Sequence, residues 1–203
     1  MNPHIMQQTK LILATQSTTR MKLLQHAGIE FTAQASLVDE DLLKSENVDL
    51  SQLLMAQLLA KAKALSLSGS NPNHYVLGAD QTLSCDNTHF NKPRNKADAR
   101  AQLQYLKGKN HQLHSAIAVV KNDKVLFTHV DTAKMTMRNF SESFLDTYLD
   151  TVDAEVLNSV GCYHYEGQGI QLFETVEGDY FTILGLSLLP LLAFLRQTGI
   201  TTA

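Results

Sequence analysis

The sequence predicts an α/β fold: one domain over residues 1–203, with a twisted mixed central sheet flanked by helices and a ligand cleft at the strand ends. Three observations carry this. Strand-like and helix-like segments alternate along the chain. Tyr75-Val76-Leu77-Gly78-Ala79-Asp80 reads as a buried strand that delivers one carboxylate to the carboxyl edge of a sheet, where open α/β sheets bind ligands. Leu113 to Val120 and Lys124 to Met137 read as strands joined by an Asn122-Asp123 turn, which adds an antiparallel part to the sheet.

Leu11 to Ala14 is the first strand, followed by the hydroxyl-rich turn Thr15-Gln16-Ser17-Thr18-Thr19. A helix from about Arg20 to His26 stops at Gly28, a residue suited to the left-handed conformation past a helix end. Phe31 to Val38 alternates weakly, as a second strand would, and closes on Asp39-Glu40-Asp41. From about Ser51 to Leu67 the pattern is helical. At about 100° per residue, Leu50, Leu53, Leu54, Leu58 and Leu65 form a stripe that is predicted to face the core. Lys96 to Leu106 is a helix with Ala97, Ala101, Leu103 and Leu106 facing in, and Ser141 to Asp150 is another. Tyr163 to Leu184 is glycine-punctuated and β-rich, Tyr180-Phe181 reading as a strand start. A closing helix runs from about Leu188 and ends before Gly199.

Composition excludes several classes. The chain is 44% hydrophobic and 18% charged, as soluble domains are, and its net charge of −3 gives no basic footprint for nucleic acid. Cys85 and Cys162 are too few for a disulfide framework or a zinc site and point to a reducing cytoplasm. Met1 to Lys10 is polar, without the pattern of a secretory leader. Ile183 to Leu195, read as a strand and a core helix, is about half a membrane span, so no membrane partner is expected.

Several residues carry possible chemistry. Asp80, with Lys92-Pro93 twelve residues on, suits an anionic, phosphorylated substrate. The first turn and helix amino-terminus offer free N–H groups and a favourable dipole to an anion. Arg20 in that first turn opposes the dipole, which suggests a ligand for it; Ser17 or Thr18 reads equally as an N-cap. Lys63 falls about 180° from the leucine stripe, where spacing alone makes it a solvated lysine, and Lys61 falls on the leucine side, where it could only snorkel. Asp39-Glu40-Asp41 reads as a solvated loop or as a carboxylate donor to a divalent cation. His111 and His114 lack the helical context of a metal pair, since residues three apart on a strand point to opposite faces. Cys162 and His164 read as packing or loop residues.

Together these segments resemble the Maf family of septum-formation-like nucleotide pyrophosphatases over about Leu11 to Gly199. Leu-Ile-Leu-Ala-Thr-Gln-Ser-Thr-Thr-Arg is similar to that family's strand and S-x-S-P-R-R turn, with Ser17 and Arg20 at matching positions and Thr18 and Thr19 as departures. Val38-Asp39-Glu40 resembles its V-D-E, Leu59-Ala60-x-x-Lys63-Ala64 its L-A-x-x-K-A, Gly78-Ala79-Asp80 its G-A-D, and Lys92-Pro93 its K-P. The resemblance thus selects Lys63 over Lys61. Gln81, with Glu166 and the Gly167 to Glu174 stretch, is similar to the branch that hydrolyses 7-methyl-GTP rather than the dTTP and UTP branch; Thr19 stands where that branch has a tryptophan.

The resemblance implies a nucleotide cleft at the strand ends and hydrolysis of a nucleoside triphosphate between its α- and β-phosphates. Asp80 is then the catalytic acid–base group, Ser17, Arg20, Lys63 and Lys92 bind the phosphates, and Glu40 and Asp80 hold magnesium or manganese. Thr19, Gln81 and Glu166 are implied to read the base, Glu166 by charge complementarity to a cationic purine that needs an aromatic partner, with Tyr163 and Tyr165 the nearest candidates. A cytoplasmic homodimer is also implied. The rival readings are a nucleotide-binding regulator of cell division without turnover, and a phosphohydrolase or phosphotransferase acting elsewhere on the nucleotide.

Overall fold

Among the described residues, seven strands hydrogen-bond into one sheet in the order β2-β1-β3-β5-β6-β7, with β4 paired to β3. The computed structural model describes residues 10–86 and 88–201; Met1 to Thr9, most of the polar stretch read as lacking a leader, lies outside them. The strands are β1 (Leu11–Ala14), β2 (Thr32–Gln34), β3 (Tyr75–Cys85), β4 (Thr88–His89), β5 (Asn110–Lys121), β6 (Lys124–Met137) and β7 (Phe173–Glu177). The helices are α1 (Thr18–His26), α2 (Glu40–Ser45), α3 (Gln52–Ser68), α4 (Lys96–Leu106), α5 (Glu142–Thr151), α6 (Tyr180–Ile183) and α7 (Leu188–Gln197). β1 pairs in parallel with β2 and β3, whereas β3-β5-β6-β7 is antiparallel, which makes the sheet mixed as predicted.

The two-residue period of the strands sorts side chains between two layers. Leu11, Leu13, Leu77 and Ala79 share one buried cluster with Leu23 and Leu24 of α1 and Leu188, Leu191 and Leu195 of α7. Ile12, Ala14 and Val76 face the other way, onto Ala64 and Leu67 of α3. Each buried leucine contributes about 1.5–3 kcal/mol. A third cluster under α4 and α5 joins Leu83, Leu113 and Met135 to Leu103, Leu106 and Leu145.

Helix α3 reverses its predicted face. Leu54 and Leu65 are exposed, while Met55, Ala56, Leu59, Ala60, Lys63, Ala64 and Leu67 are buried. The reason is close approach: a Cβ at Gly78 would lie 2.1 Å from the Ala60 carbonyl oxygen and 2.7 Å from the Ala64 amide nitrogen. Helix and strand backbones therefore touch, and only small residues fit between them. On α4, similarly, Ala99 is buried and Ala97 and Ala101 are exposed.

Other segments also differ from expectation. The second strand covers only Thr32–Gln34, and the acidic cluster is not a loop, because the Asp39 carboxylate accepts from the Leu42 N–H at 3.0 Å and caps α2. Likewise Asp179 accepts from the N–H groups of Phe181 and Thr182, so Tyr180-Phe181-Thr182-Ile183 is a turn of helix rather than a strand. Before it, 3₁₀ turns at Ala154–Asn158 and Gln168–Leu172 flank irregular chain, and β7 is the one strand of a region expected to be β-rich. β3 does not end at Asp80 but runs on through Thr82 and Leu83 to Cys85. Among the described residues no helix is long and apolar enough to cross a membrane.

The two histidines of H-x-x-H are interior polar groups. His114 Nδ1 lies 2.9 Å from Thr132 Oγ1 and its Nε2 3.1 Å from Ser84 Oγ. His111 Nε2 lies 2.7 Å from the Tyr163 hydroxyl, while its buried Nδ1 has no partner among the described residues. Burial pushes the His111 imidazole down from 6.5 to about 4. In the unfolded chain it protonates near 6.5, so acid favours unfolding. The stability is complete above that pH and declines as pH falls toward 4, by about 3 kcal/mol at most. Denaturant titrations over this window are expected to show a smaller loss in His111→Gln; equal slopes would remove His111 as the cause. Cys162 is also buried, its thiol pushed up to about 12 by burial, and so is not a nucleophile.

Candidate active site

The site forms where the parallel strands stop. β1 ends at Ala14, opposite Gly78 of β3, so Asp80 stands two residues beyond the edge of the parallel strands although its own strand continues. Its parity with Val76 and Gly78 turns the carboxylate toward α3. There the Lys63 ammonium donates to Asp80 Oδ1 at 2.6 Å and lies 2.8 Å from Glu40 Oε1. Lys63 and Asp80 are buried, with side chains 9% exposed each, and Glu40 is 36% exposed. The solvated lysine that periodicity predicts is therefore an interior cation bridging two carboxylates. Ala60, Ala64 and Gly78 make this geometry possible, since the backbones must nearly touch for Lys63 to reach Asp80.

Helix α1 supplies the second cation. The Ser17 hydroxyl accepts from the Arg20 N–H at 3.3 Å and caps the helix, while the N–H groups of Thr18 and Thr19 have no intrahelical acceptor. The Arg20 side chain donates through Nε to the Gly185 carbonyl at 2.8 Å, which leaves its terminal nitrogens without an ion pair among the described residues. Burial lowers the Arg20 guanidinium from its ordinary value, and the Asp80 and Glu40 carboxylates oppose that shift. Because β1 has ended, an arginine on one layer of the sheet is in electrostatic range of a carboxylate on the other.

Glu40 opens α2. Burial raises its carboxyl, but the Lys63 ammonium outweighs that, with Lys44 and Lys92 adding to it, and holds Glu40 below its usual range. Lys92 is exposed beside the buried Pro93 and enters the field of Glu40 without a direct bond. Lys44 was missed by sequence reasoning. Its signal was there, since it follows Glu40 by four residues, a helical-neighbour spacing that requires α2 to be recognised.

The three base-reading candidates are dispersed. Thr19 is half-buried in the first turn of α1. The Gln81 amide nitrogen lies 2.9 Å from Ser115 Oγ and 3.0 Å from the carbonyl oxygens of Thr182 and Ile183. Glu166 is exposed in a turn, next to Tyr165, whose ring packs on Phe173 and Tyr180. Tyr163 is buried against His111 and cannot stack on a ligand; Tyr165 is half-buried and Tyr180 exposed. A separate shallow hollow lined by Met21, Gln25, Ile29, Glu30, Phe31 and Ala33 contains none of these groups.

Two carboxylates, a shared ammonium, a guanidinium and a helix amino-terminus at one sheet edge suit a polyphosphate anion with an activated water. A family model described as Maf-like protein matches residues 10–198. The chain belongs to the Maf-like family. A nucleoside triphosphate pyrophosphatase of Paramagnetospirillum magneticum is 47% identical to it over 190 residues, 93% of this chain and 98% of that one. A 7-methyl-GTP pyrophosphatase of Brucella abortus is 46% identical over 190 residues, 93% of this chain and 96% of that one. A nucleoside triphosphatase and dITP/XTP pyrophosphatase structure from Mycobacterium abscessus aligns over 64% of this chain and 74% of its own, at a TM-score of 0.39 and 13% identity. Three residues of the Maf-like motifs are in direct contact, Lys63 with Glu40 and Asp80; Arg20, in the helix turn that Ser17 caps, is in electrostatic range of both carboxylates, and Lys92 is in range of Glu40.

Proposed function

We propose that this Maf-like protein is a nucleoside triphosphate pyrophosphatase that hydrolyses the α–β phosphate bond, releasing a nucleoside monophosphate and pyrophosphate. The observation that supports it best is the Lys63 ammonium held between Asp80 and Glu40, beside Arg20 and the α1 amino-terminus. Asp80 orients a water for in-line attack on the α-phosphorus and takes its proton. The bond from that phosphorus to the bridging oxygen breaks, and the oxygen leaves with pyrophosphate. Arg20, Lys63, Lys92 and the α1 amino-terminus at Ser17 neutralise the charge that develops on the leaving group.

The donor set also fits a divalent cation. Glu40 and Asp80 converge on a single positive charge, and magnesium is usually held by one or two carboxylates together with substrate oxygens. Such an ion, magnesium or manganese, would supply Lewis-acid stabilisation of phosphate oxygens.

The test is a product assay with magnesium over GTP, 7-methyl-GTP, UTP and dTTP. Pyrophosphate and monophosphate are expected; orthophosphate release would place the chemistry elsewhere on the nucleotide, and nucleotide binding without turnover would favour the regulator. 7-Methyl-GTP belongs in the panel because Glu166, beside the Tyr165–Tyr180 pair, offers a carboxylate and aromatic surface to a cationic purine. Glu166→Gln is expected to lower kcat/KM for 7-methyl-GTP about fivefold more than for GTP. Equal losses would leave Glu166 without a part in base selection.

Lys63→Ala is expected to affect folding as well as turnover. It leaves a buried Asp80 carboxylate and Glu40 without their shared cation, at a cost of about 3 kcal/mol. For a chain of this size that lowers Tm by about 6–12 °C. The exposed Lys92→Ala should lose activity with Tm unchanged within about 2 °C. A Lys63→Ala protein melting with wild type would contradict the buried-bridge account.

A further inference from the structure

Gln81 is adjacent to Asp80, and strand parity sends its side chain to the opposite layer, where α6 and the turn after it lie. Its two amide hydrogens meet three acceptors at 2.9–3.0 Å: Ser115 Oγ and the carbonyl oxygens of Thr182 and Ile183. The buried Ser115 hydroxyl itself donates to the Thr182 carbonyl at 2.6 Å. The Gln81 contacts to Thr182 and Ile183 cross about a hundred residues of sequence, and with the Ser115 contact they fix the carboxyl end of a four-residue helix too short to hold its own position. Directly after it comes Gly185, at φ +89°, whose carbonyl accepts from Arg20 Nε at 2.8 Å. A Cβ there would come within 3.3 Å of an Arg20 terminal nitrogen and 3.6 Å of Gln81 Oε1, so Gly185 lies between the two side chains.

We infer that Gln81, with Ser115, is a positioning residue for Arg20: it pins the 182–185 turn whose Gly185 carbonyl aims the guanidinium at the triphosphate. The Gln81 amide nitrogen is committed to protein acceptors, so Gln81 acts on turnover through Arg20. This rests on the pyrophosphatase reading for its consequence in turnover, though not for its geometry. A guanidinium held by one Nε bond swings when that bond's acceptor moves, and a small misplacement of a charge-neutralising group carries a large kinetic cost.

The test is a double-mutant cycle. Gln81→Leu is expected to lower kcat/KM about thirtyfold, mainly in kcat, for whichever of GTP, 7-methyl-GTP, UTP and dTTP the wild type hydrolyses best. In an Arg20→Ala background the same change should cost less than about twofold, because its effect is already gone. In parallel, NMR on the Arg20 Nε–H should show at least about tenfold faster exchange with solvent in Gln81→Leu, from loss of the Gly185 bond. Equal losses in both backgrounds or unchanged Nε–H exchange would each overturn the inference. Should Gln81→Leu not fold, Ser115→Ala, which removes one hydroxyl of the clamp, serves in both measurements. If wild type releases no pyrophosphate from any triphosphate, the pyrophosphatase reading fails and the exchange measurement alone decides the positioning role.

Discussion

Asp80→Asn should fold as wild type does and lose about three orders of magnitude in kcat/KM for pyrophosphate release. The amide keeps the size of the carboxylate and its place opposite Ala116 on β5, so the strand register is undisturbed. What it loses is the capacity to accept a proton and to bind a cation, and Lys63 retains Glu40 as a partner. The expected result is therefore a stable, nucleotide-binding, nearly inactive protein. Turnover within tenfold of wild type would remove Asp80 from the mechanism and leave the site a structural ion pair.

Gly78→Ala should lose at least as much stability as Lys63→Ala. Its new methyl would meet backbone on α3, 2.1 Å from the Ala60 carbonyl oxygen and 2.7 Å from the Ala64 nitrogen, so no rotamer change relieves it. Either the helix withdraws or the strand bends, at a cost of about 3 kcal/mol or more, lowering Tm by about 6–12 °C. Withdrawal of α3 also carries Lys63 off Asp80, so surviving protein should have little activity. A Tm within about 2 °C of wild type would show that helix and strand are not in backbone contact.

The same contact explains where the sequence was misleading. Hydrophobic periodicity weights leucine over alanine, so it put Leu54 and Leu65 in the core and Lys63 in solvent. The packing obeyed a different demand, small residues at a close helix–strand approach, and the family motifs recorded that demand as Leu59-Ala60-x-x-Lys63-Ala64 and Gly78-Ala79-Asp80. Of the motif side chains singled out for catalysis, phosphate or metal, Glu40, Lys63 and Asp80 are in direct contact, and Arg20 and Lys92 are in electrostatic range of these carboxylates. The alternation of β and α elements and the Asn122-Asp123 turn, both residues at positive φ, were also legible because local chemistry determines them.

Short capped helices were not legible. Asp39 and Asp179 are both N-caps by residue type, but α2 has six residues and α6 four, too few to show a period against the pull of Tyr180 and Phe181 toward a strand. The surroundings of Gln81 were out of reach for another reason. Its partners Thr182 and Ile183 lie more than a hundred residues away, and no local pattern relates them to β3. A resemblance could mark Gln81 as informative, and only the fold shows that its amide nitrogen is bonded to Thr182, Ile183 and Ser115.

The central claim is that water attacks the α-phosphorus under the direction of Asp80. It is tested most directly by hydrolysis in water enriched in oxygen-18, with mass analysis of both products. Attack at the α-phosphorus puts the label in the nucleoside monophosphate and leaves pyrophosphate unlabelled. Label in the pyrophosphate, or in released orthophosphate, would contradict the account.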